Sequence, residues 1–195
     1  ASFIVGAFDV STVVYSQNFS VVSQDTVAEG IAFNTDGTKM FIVGSTGNNV
    51  YEYALSNGFD VSTSSFTNSF YILAQDSVAQ GIAFNTDGTK MFIVGSTDDD
   101  VNEYTLTTGF DLSTASYSQN FSVLAQDDRP YGIAFNADGT KMFVVGNTAA
   151  KVMEYALSTG FNVSTASFVH SFSVASQDSQ PQGLSFNADG TKMFV

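Results

Sequence analysis

The chain has 195 residues, 44% of them hydrophobic and 14% aromatic, which is enough apolar surface for a packed core and too much for a disordered segment. Nineteen acidic residues against six basic ones give a net charge of −13, which repels phosphate backbones and anionic lipid, so neither nucleic acid nor membrane is an expected partner. No cysteine is present, so disulfide frameworks, thiolate metal sites and cysteine nucleophiles are excluded.

The first apolar run, residues 3–8, has no charged flank and is far too short to span a bilayer, so the chain is expected to be soluble. Residues 2–5 read as a short, degenerate strand and residues 15–22 as a full one. At Gly30 the stretch Gly-Ile-Ala-Phe-Asn-Thr-Asp-Gly-Thr-Lys-Met-Phe-Ile-Val-Gly-Ser-Thr begins, and it returns unchanged 51 residues later at Gly81. Close copies start at Gly132 and Gly183. A second landmark, Phe-Asp/Asn-Val/Leu-Ser-Thr, starts at Phe8, Phe59, Phe110 and Phe161 in the same register. Such self-similarity marks a repeat architecture.

Within a unit, short β-branched and aromatic runs are separated by turn residues, with no extended helical period. In the second unit the predicted strands are A, 81–85; B, 89–95; C, 101–106; and D, 117–123. Asp-Gly at Asp36-Gly37, Asp87-Gly88, Asp138-Gly139 and Asp189-Gly190 predicts an A–B hairpin, because glycine adopts the positive φ of tight turns. The units run near 30–80, 81–131 and 132–182. The chain ends on an A strand (183–187) and a B strand (191–195) and opens on C and D, so a last unit would be shared by 183–195 and 1–29 within a single domain, 1–195.

A four-stranded antiparallel unit cannot cover both of its faces alone, so neighbouring units must stack, and radial stacking gives a propeller. The motif Gly-Ile-Ala-Phe-Asn-x-Asp-Gly-Thr-Lys-Met-Phe-Val resembles the inner hairpin of YVTN, NHL and WD-type propeller blades, although it lacks the Gly-His and Trp-Asp signatures of the WD type. The resemblance implies an all-β fold, a β-propeller of four-stranded antiparallel blades. Four blades per chain with two strands from each terminus closing the last, in Velcro fashion, is one reading. Two chains sharing strands in an eight-bladed ring, a homodimer, is another, and a fragment of a still longer array is a third.

Up-and-down blades put the A–B and C–D turns on one rim and the B–C and D–A connections on the other. The first rim barely changes between units. The second varies: Gly47-Asn48-Asn49, Asp98-Asp99-Asp100 and Ala149-Ala150-Lys151 in B–C, and Thr26–Glu29, Ser77–Gln80, Asp128-Arg129-Pro130-Tyr131 and Ser179-Gln180-Pro181-Gln182 in D–A. Loops on a rigid scaffold are where recognition is usually placed. Candidate binding residues are therefore Asn48, Asn49, Asp98, Asp99, Asp100, Asp128, Arg129, Tyr131, Gln180 and Gln182. One feature of this rim is constant, Gln-Asp, which supplies Asp25, Asp76, Asp127 and Asp178. These carboxylates are expected to accept backbone N–H groups, with a calcium ion held by the ring as the alternative.

Lys39, Lys90, Lys141 and Lys192 are expected to balance surface acids, and Met40, Met91, Met142 and Met193 to pack between blades. The only histidine, His170, falls on an outer strand. Catalysis needs an asymmetric constellation, whereas near-identical units supply the same groups in every blade. The expected function is therefore non-enzymatic binding of a glycan or surface protein, with no required cofactor. A passive assembly repeat is an alternative, and lactonase- or hydrolase-like activity, seen on some similar propellers, is the reading the repeats disfavour. The acidic surface suits an extracellular or surface-associated setting.

Overall fold

The computed structural model describes residues 2–6 and 9–195, with side chains from Ser11 onward, so landmark Phe8 lies outside the described residues. The described residues form sixteen strands and no α-helix, and therefore no helix long and apolar enough to cross a membrane. Strands β1 (Ser2–Gly6) and β2 (Asp9–Gln17) pair with each other. Blade 1 follows with β3 (Ala28–Phe33), β4 (Lys39–Gly44), β5 (Asn49–Leu55) and β6 (Ser64–Tyr71). Blade 2 holds β7 (Ala79–Phe84), β8 (Lys90–Gly95), β9 (Asp100–Leu106) and β10 (Ala115–Ser122). Blade 3 holds β11 (Pro130–Phe135), β12 (Lys141–Gly146), β13 (Lys151–Leu157) and β14 (Ala166–Ser173), and β15 (Ser185–Phe186) pairs with β16 (Met193–Phe194).

Each full blade is antiparallel throughout, with its strands in sequence order. The predicted second-unit strands are recovered to within two residues at each end. Strands A lie innermost, since a Cβ added to Gly30 would come within 3.3 Å of the Gly81 Cα, and one added to Gly81 within 3.4 Å of the Gly132 Cα. Only glycine lets three backbones converge there.

The core lies between blades. Strand B alternates with period two, so in β4 Met40 and Ile42 belong to one cluster while Phe41 and Val43 belong to another, shared with blade 2. In that shared cluster Phe41 and Val43 of blade 1 meet Ile82, Met91, Ile93 and Tyr104 of blade 2, and the same register joins Phe92 and Val94 to Ile133, Met142 and Tyr155 at the next junction. Met91 and Met142 are buried between blades as expected, Met40 is buried in blade 1 against Phe19 and Val21 at the edge of an open cavity, and Met193 packs with Val145 and Val152.

The C–D connection carries structure that the strand pattern does not announce. Single 3₁₀ turns span Val61–Thr63, Leu112–Thr114 and Val163–Thr165, each capped by Asp60, Asp111 or Asn162, whose side chain accepts the N–H of the serine two residues on. Before each cap a phenylalanine, Phe59, Phe110 or Phe161, sits at φ between 56° and 59°. That left-handed conformation is costly for an aromatic residue. It is held by a hydrogen bond from the Phe N–H to the A–B glycine carbonyl, 2.9 Å for Phe59 to Gly37, and by the ring lying against that glycine.

This anchoring explains a correction at the start of the chain. Strand D of the first unit, expected over 15–22, is instead β2, Asp9–Gln17, with Gly6 opposite Asp9. In full blades the A–B turn of the same blade fixes the C–D connection. Among the described residues no such turn lies beside β1 and β2, which form a two-stranded sheet of their own, and the strand stands closer to the N-terminus. The pairing of β16 with β1 that closure within one chain requires is not among the strand pairings of the described residues.

Lys39 and Lys90 are also more than surface counter-ions. Lys39 Nζ lies 2.8 Å from Glu52 Oε1 and donates to the Phe110 carbonyl of blade 2 at 2.6 Å, while Glu52 Oε2 accepts the Leu112 N–H at 3.0 Å. Lys90 and Glu103 repeat this grip on Phe161 and Val163 of blade 3. Each pair clasps the 3₁₀ turn of the following blade.

Candidate functional site

The two rims separate as predicted. On the variable rim Asp25 joins the D–A and B–C connections, accepting the Val27 N–H on Oδ1 and the Gly47 N–H on Oδ2, both at 2.8 Å. Asp127 repeats this with Arg129 N (2.8 Å) and Ala149 N (2.7 Å). Asp76 accepts Val78 N, and Asp178 accepts Gln180 N. The recurring aspartates thus brace the rim by carboxylate-to-backbone bonds of the Asx type. Among the described residues no group of three or more histidine, aspartate or glutamate side chains is gathered as a metal site.

Blade 2 departs from this bracing. Asp76 is buried, and its Oδ2 makes no close hydrogen bond, with only the weak influence of the Thr97 N–H and hydroxyl, where Asp25 and Asp127 each hold a loop N–H. The B–C loop here is Asp98-Asp99-Asp100. Asp99 lies at φ 56°, in the place Asn48 takes in blade 1, and its Oδ1 is also buried and unpartnered. Burial pushes the Asp99 carboxyl up to about 6, helped by the charges of Asp128, Asp76, Asp100 and Asp127. The Asp76 carboxyl is raised as well, by burial first, against the lowering effect of the Val78 N–H.

The sign for stability follows from proton linkage. With its folded value above the ordinary 3.8, Asp99 takes up protons more readily in the native state, so stability falls as pH rises from 3.8 toward 6. Asp99→Asn should therefore be more stable than the parent above pH 6 and indistinguishable from it near pH 4. Thermal unfolding of both proteins across that range measures the difference, and parallel curves would refute the repulsion.

Of the predicted site residues, the structure brings Asp98, Asp99, Asp100, Asp128, Arg129 and Tyr131 to the junction of blades 2 and 3. Asp98, Asp128 and Arg129 are exposed there, and Asp100 is buried with Asn120 Nδ2 on its Oδ2. Arg129 Nη2 donates to the Tyr131 hydroxyl at 3.0 Å, with its guanidinium 5.8 Å from the ring centroid. Asn48 and Asn49 stand apart in blade 1, Asn49 Nδ2 donating to the Gly47 carbonyl at 2.6 Å. Gln180 and Gln182 lie exposed beyond blade 3.

Two features of this rim escape a sequence reading. Strand A begins two residues before the predicted start, and its register shifts between Ala79 and Gly81, Ala28 and Gly30, and Pro130 and Gly132. Glu29, Gln80 and Tyr131 are therefore bulge residues, the kind of position that re-aims a side chain. The buried Gln80 carries another unpartnered oxygen, and Asn48 Oδ1 is a fourth on this rim. A variable residue before an invariant glycine was the available signal.

His170 is exposed on outer strand β14, with Nε2 3.4 Å from Glu154 Oε2, and takes the place of Gln119, whose amide donates to Glu103 at 2.8 Å. Two cavities, of about 390 and 600 Å³, lie at the faces of blades 1 and 3, away from the variable rim.

No protein-family model and no curated protein matches the sequence. Similarity appears among solved structures. Kuenenia stuttgartiensis hydrazine synthase shares 17% identity at a TM-score of 0.61, over 92% of this chain and 44% of that one. The Pseudomonas aeruginosa periplasmic gluconolactonase shares 13% at 0.56, over 75% and 40%. The Myceliophteria thermophila Cps50 (Swd1) β-propeller domain shares 10% at 0.53, over 80% and 46%. The chain thus spans less than half the length of these structures, and at such identities the likeness is one of fold. Four-stranded antiparallel blades around converging A strands, matched by solved propellers, make this chain a β-propeller repeat protein.

Proposed function

We propose that the chain is a non-enzymatic binding module whose variable rim, centred on the junction of blades 2 and 3, engages a glycan or a protein surface. The observation that carries this reading is the exposed polar set at that junction, Asp98, Asp128 and Arg129, with Arg129 Nη2 on the Tyr131 hydroxyl. Exposed carboxylates accept hydrogen bonds from the hydroxyls of a glycan, and the Arg129–Tyr131 pair adds an aromatic face on which a sugar can stack. The blade-to-blade variation of these loops on a uniform scaffold supports the same reading.

A glycan array probed at several protein concentrations tests it, with the parent compared to a variant carrying Ser-Gln-Pro-Gln in place of residues 128–131. Binding by the parent that drops at least tenfold in the variant is the expected result. Equal binding by both would refute the rim as the contact surface, and no binding would favour a passive assembly repeat. The name of the P. aeruginosa gluconolactonase motivates one control: turnover of a gluconolactone would overturn the non-enzymatic reading.

A further inference from the structure

Five dipeptides of the chain join an aspartate or asparagine to glycine: Asp36-Gly37, Asp87-Gly88, Asp138-Gly139, Asp189-Gly190 and Asn57-Gly58. In each, the glycine nitrogen stands next to the side-chain carbonyl carbon of its neighbour, and an intramolecular attack of this kind gains from proximity. Glycine has no side chain to shield that nitrogen and the freest backbone to bring it round. The fold treats the five differently.

In the four Asp-Gly turns the attack is blocked twice. The glycine N–H is tied up, donating to the asparagine carbonyl three residues back, at 3.1 Å for Gly37, Gly88 and Gly139 and 3.0 Å for Gly190. The aspartate Oδ1 accepts both the N–H and the hydroxyl of the threonine two residues on, at 3.0 and 2.6 Å for Asp87 and Thr89. Those bonds hold all four carboxyls below their ordinary range, so at neutral pH each is an ionised, poor electrophile.

Asn57-Gly58 has neither protection. Both residues are exposed in the C–D connection of blade 1. Among the described residues the Gly58 N–H makes no hydrogen bond, and the Asn57 amide has only a weak contact with the Asp60 carboxylate. A neutral amide carbonyl also carries no charge to repel a nucleophile. Blades 2 and 3 have Thr108-Gly109 and Thr159-Gly160 at this place. The turn itself is the same, since the Asn57 N–H donates to Thr63 Oγ1 at 3.2 Å and the Thr108 N–H to Thr114 Oγ1 at 3.1 Å. Asparagine is therefore not needed to build it.

We propose that Asn57 is a self-modification site, converted with age to aspartate and isoaspartate. The Gly58 nitrogen bonds to Asn57 Cγ and gives up its proton, and the side-chain nitrogen leaves as ammonia, which closes a five-membered succinimide. Water then opens the ring, at Cγ to give aspartate or at the main-chain carbonyl carbon to give isoaspartate. No oxidant and no cofactor is consumed. Isoaspartate runs the backbone through Cβ and Cγ, one atom longer than before, and takes out of the main chain the carbonyl that accepts the Asp60 N–H at 3.0 Å. The turn that holds Phe59 at φ 59° against Gly37 is then reshaped in blade 1 alone.

Incubating the folded chain for weeks in mildly alkaline buffer at body temperature, then digesting it for mass spectrometry, tests this. The peptide holding Asn57 should gain the mass of an amide-to-acid change and split into two isomers, at least tenfold faster than any other asparagine reacts. The four Asp-Gly sites should stay unisomerised in the folded chain, and Asp87-Gly88 should isomerise at least tenfold faster in guanidinium chloride, which releases the turn. Asn57→Thr should abolish the product and leave aged and fresh samples with the same thermal midpoint, whereas the aged parent should melt lower than the fresh one. No conversion at Asn57 ahead of the other asparagines would overturn the proposal. So would Asp-Gly sites that react as fast in the folded chain, or an Asp87-Gly88 rate indifferent to denaturant.

Discussion

Replacing Glu103 with alanine should destabilise the protein by about 3–5 kcal/mol, the range for stripping one partner from a buried ion pair. Glu103 is almost wholly buried and takes three donors: Lys90 Nζ at 2.7 Å, Gln119 Nε2 at 2.8 Å and the Val163 N–H of the next blade at 3.0 Å. Alanine leaves the buried Val163 N–H without its acceptor and the Lys90 charge without its counter-ion, although Lys90 keeps the Phe161 carbonyl and Gln119 keeps Asn162 Oδ1, and it loosens the 3₁₀ turn of blade 3. Glu154 is the same residue one repeat later, yet it is less buried, and its partners, Lys141 at 2.9 Å and His170, are more than half exposed. Glu154→Ala should cost no more than about 1 kcal/mol, as exposed pairs do. Urea unfolding of the two variants measures the contrast. Equal costs would mean that the clasp across the blade junction contributes nothing.

Gly88→Ala should be the other severe lesion, at about 3 kcal/mol. Gly88 has φ 72°, and an added Cβ would stand 2.2 Å from Cδ2 of Phe110. The left-handed conformation costs an L-residue about 1–2 kcal/mol, and forced repacking adds about 1–3. Gly190 provides the internal control, with φ 70° and nothing within 4 Å of its added Cβ. Gly190→Ala therefore isolates the conformational part and should cost about 1 kcal/mol. Thermal denaturation distinguishes the two, and matched losses would show that the Phe110 ring simply moves aside.

Much of this fold could be read in the sequence because its determinants are local and repeated. Period-two alternation in Lys-Met-Phe-Ile-Val-Gly set strand B, and Asp-Gly set the hairpin, with Asp36 accepting both the N–H and the hydroxyl of Thr38 as a turn aspartate should. The division of loops between two rims followed from strand count alone. What stayed hidden involves partners far apart in sequence. Glu52, Glu103 and Glu154 recur on a central strand, where an acid is out of place, and that was the signal for a cross-blade contact. The acceptance by Glu52 and Glu103 of N–H groups 60 residues away is set by the packing of one blade on the next.

The candidate site was legible as a rim but not as a centre. Asp99 and Asp128 become neighbours only because adjacent blades bring a B–C loop of one beside a D–A loop of the other. The bulges that place Gln80 and Tyr131 leave no trace in hydrophobic alternation, because one extra residue before a glycine looks like any other loop residue.

The lysine–glutamate clasps all point one way along the chain. Blade 1 grips blade 2 and blade 2 grips blade 3, so among the described residues the middle blade is the one that both holds and is held. The array therefore has polarity, like a zip with a leading and a trailing end. Loosening at one blade withdraws support from its successor, while its predecessor keeps its own grip-bearing pair intact.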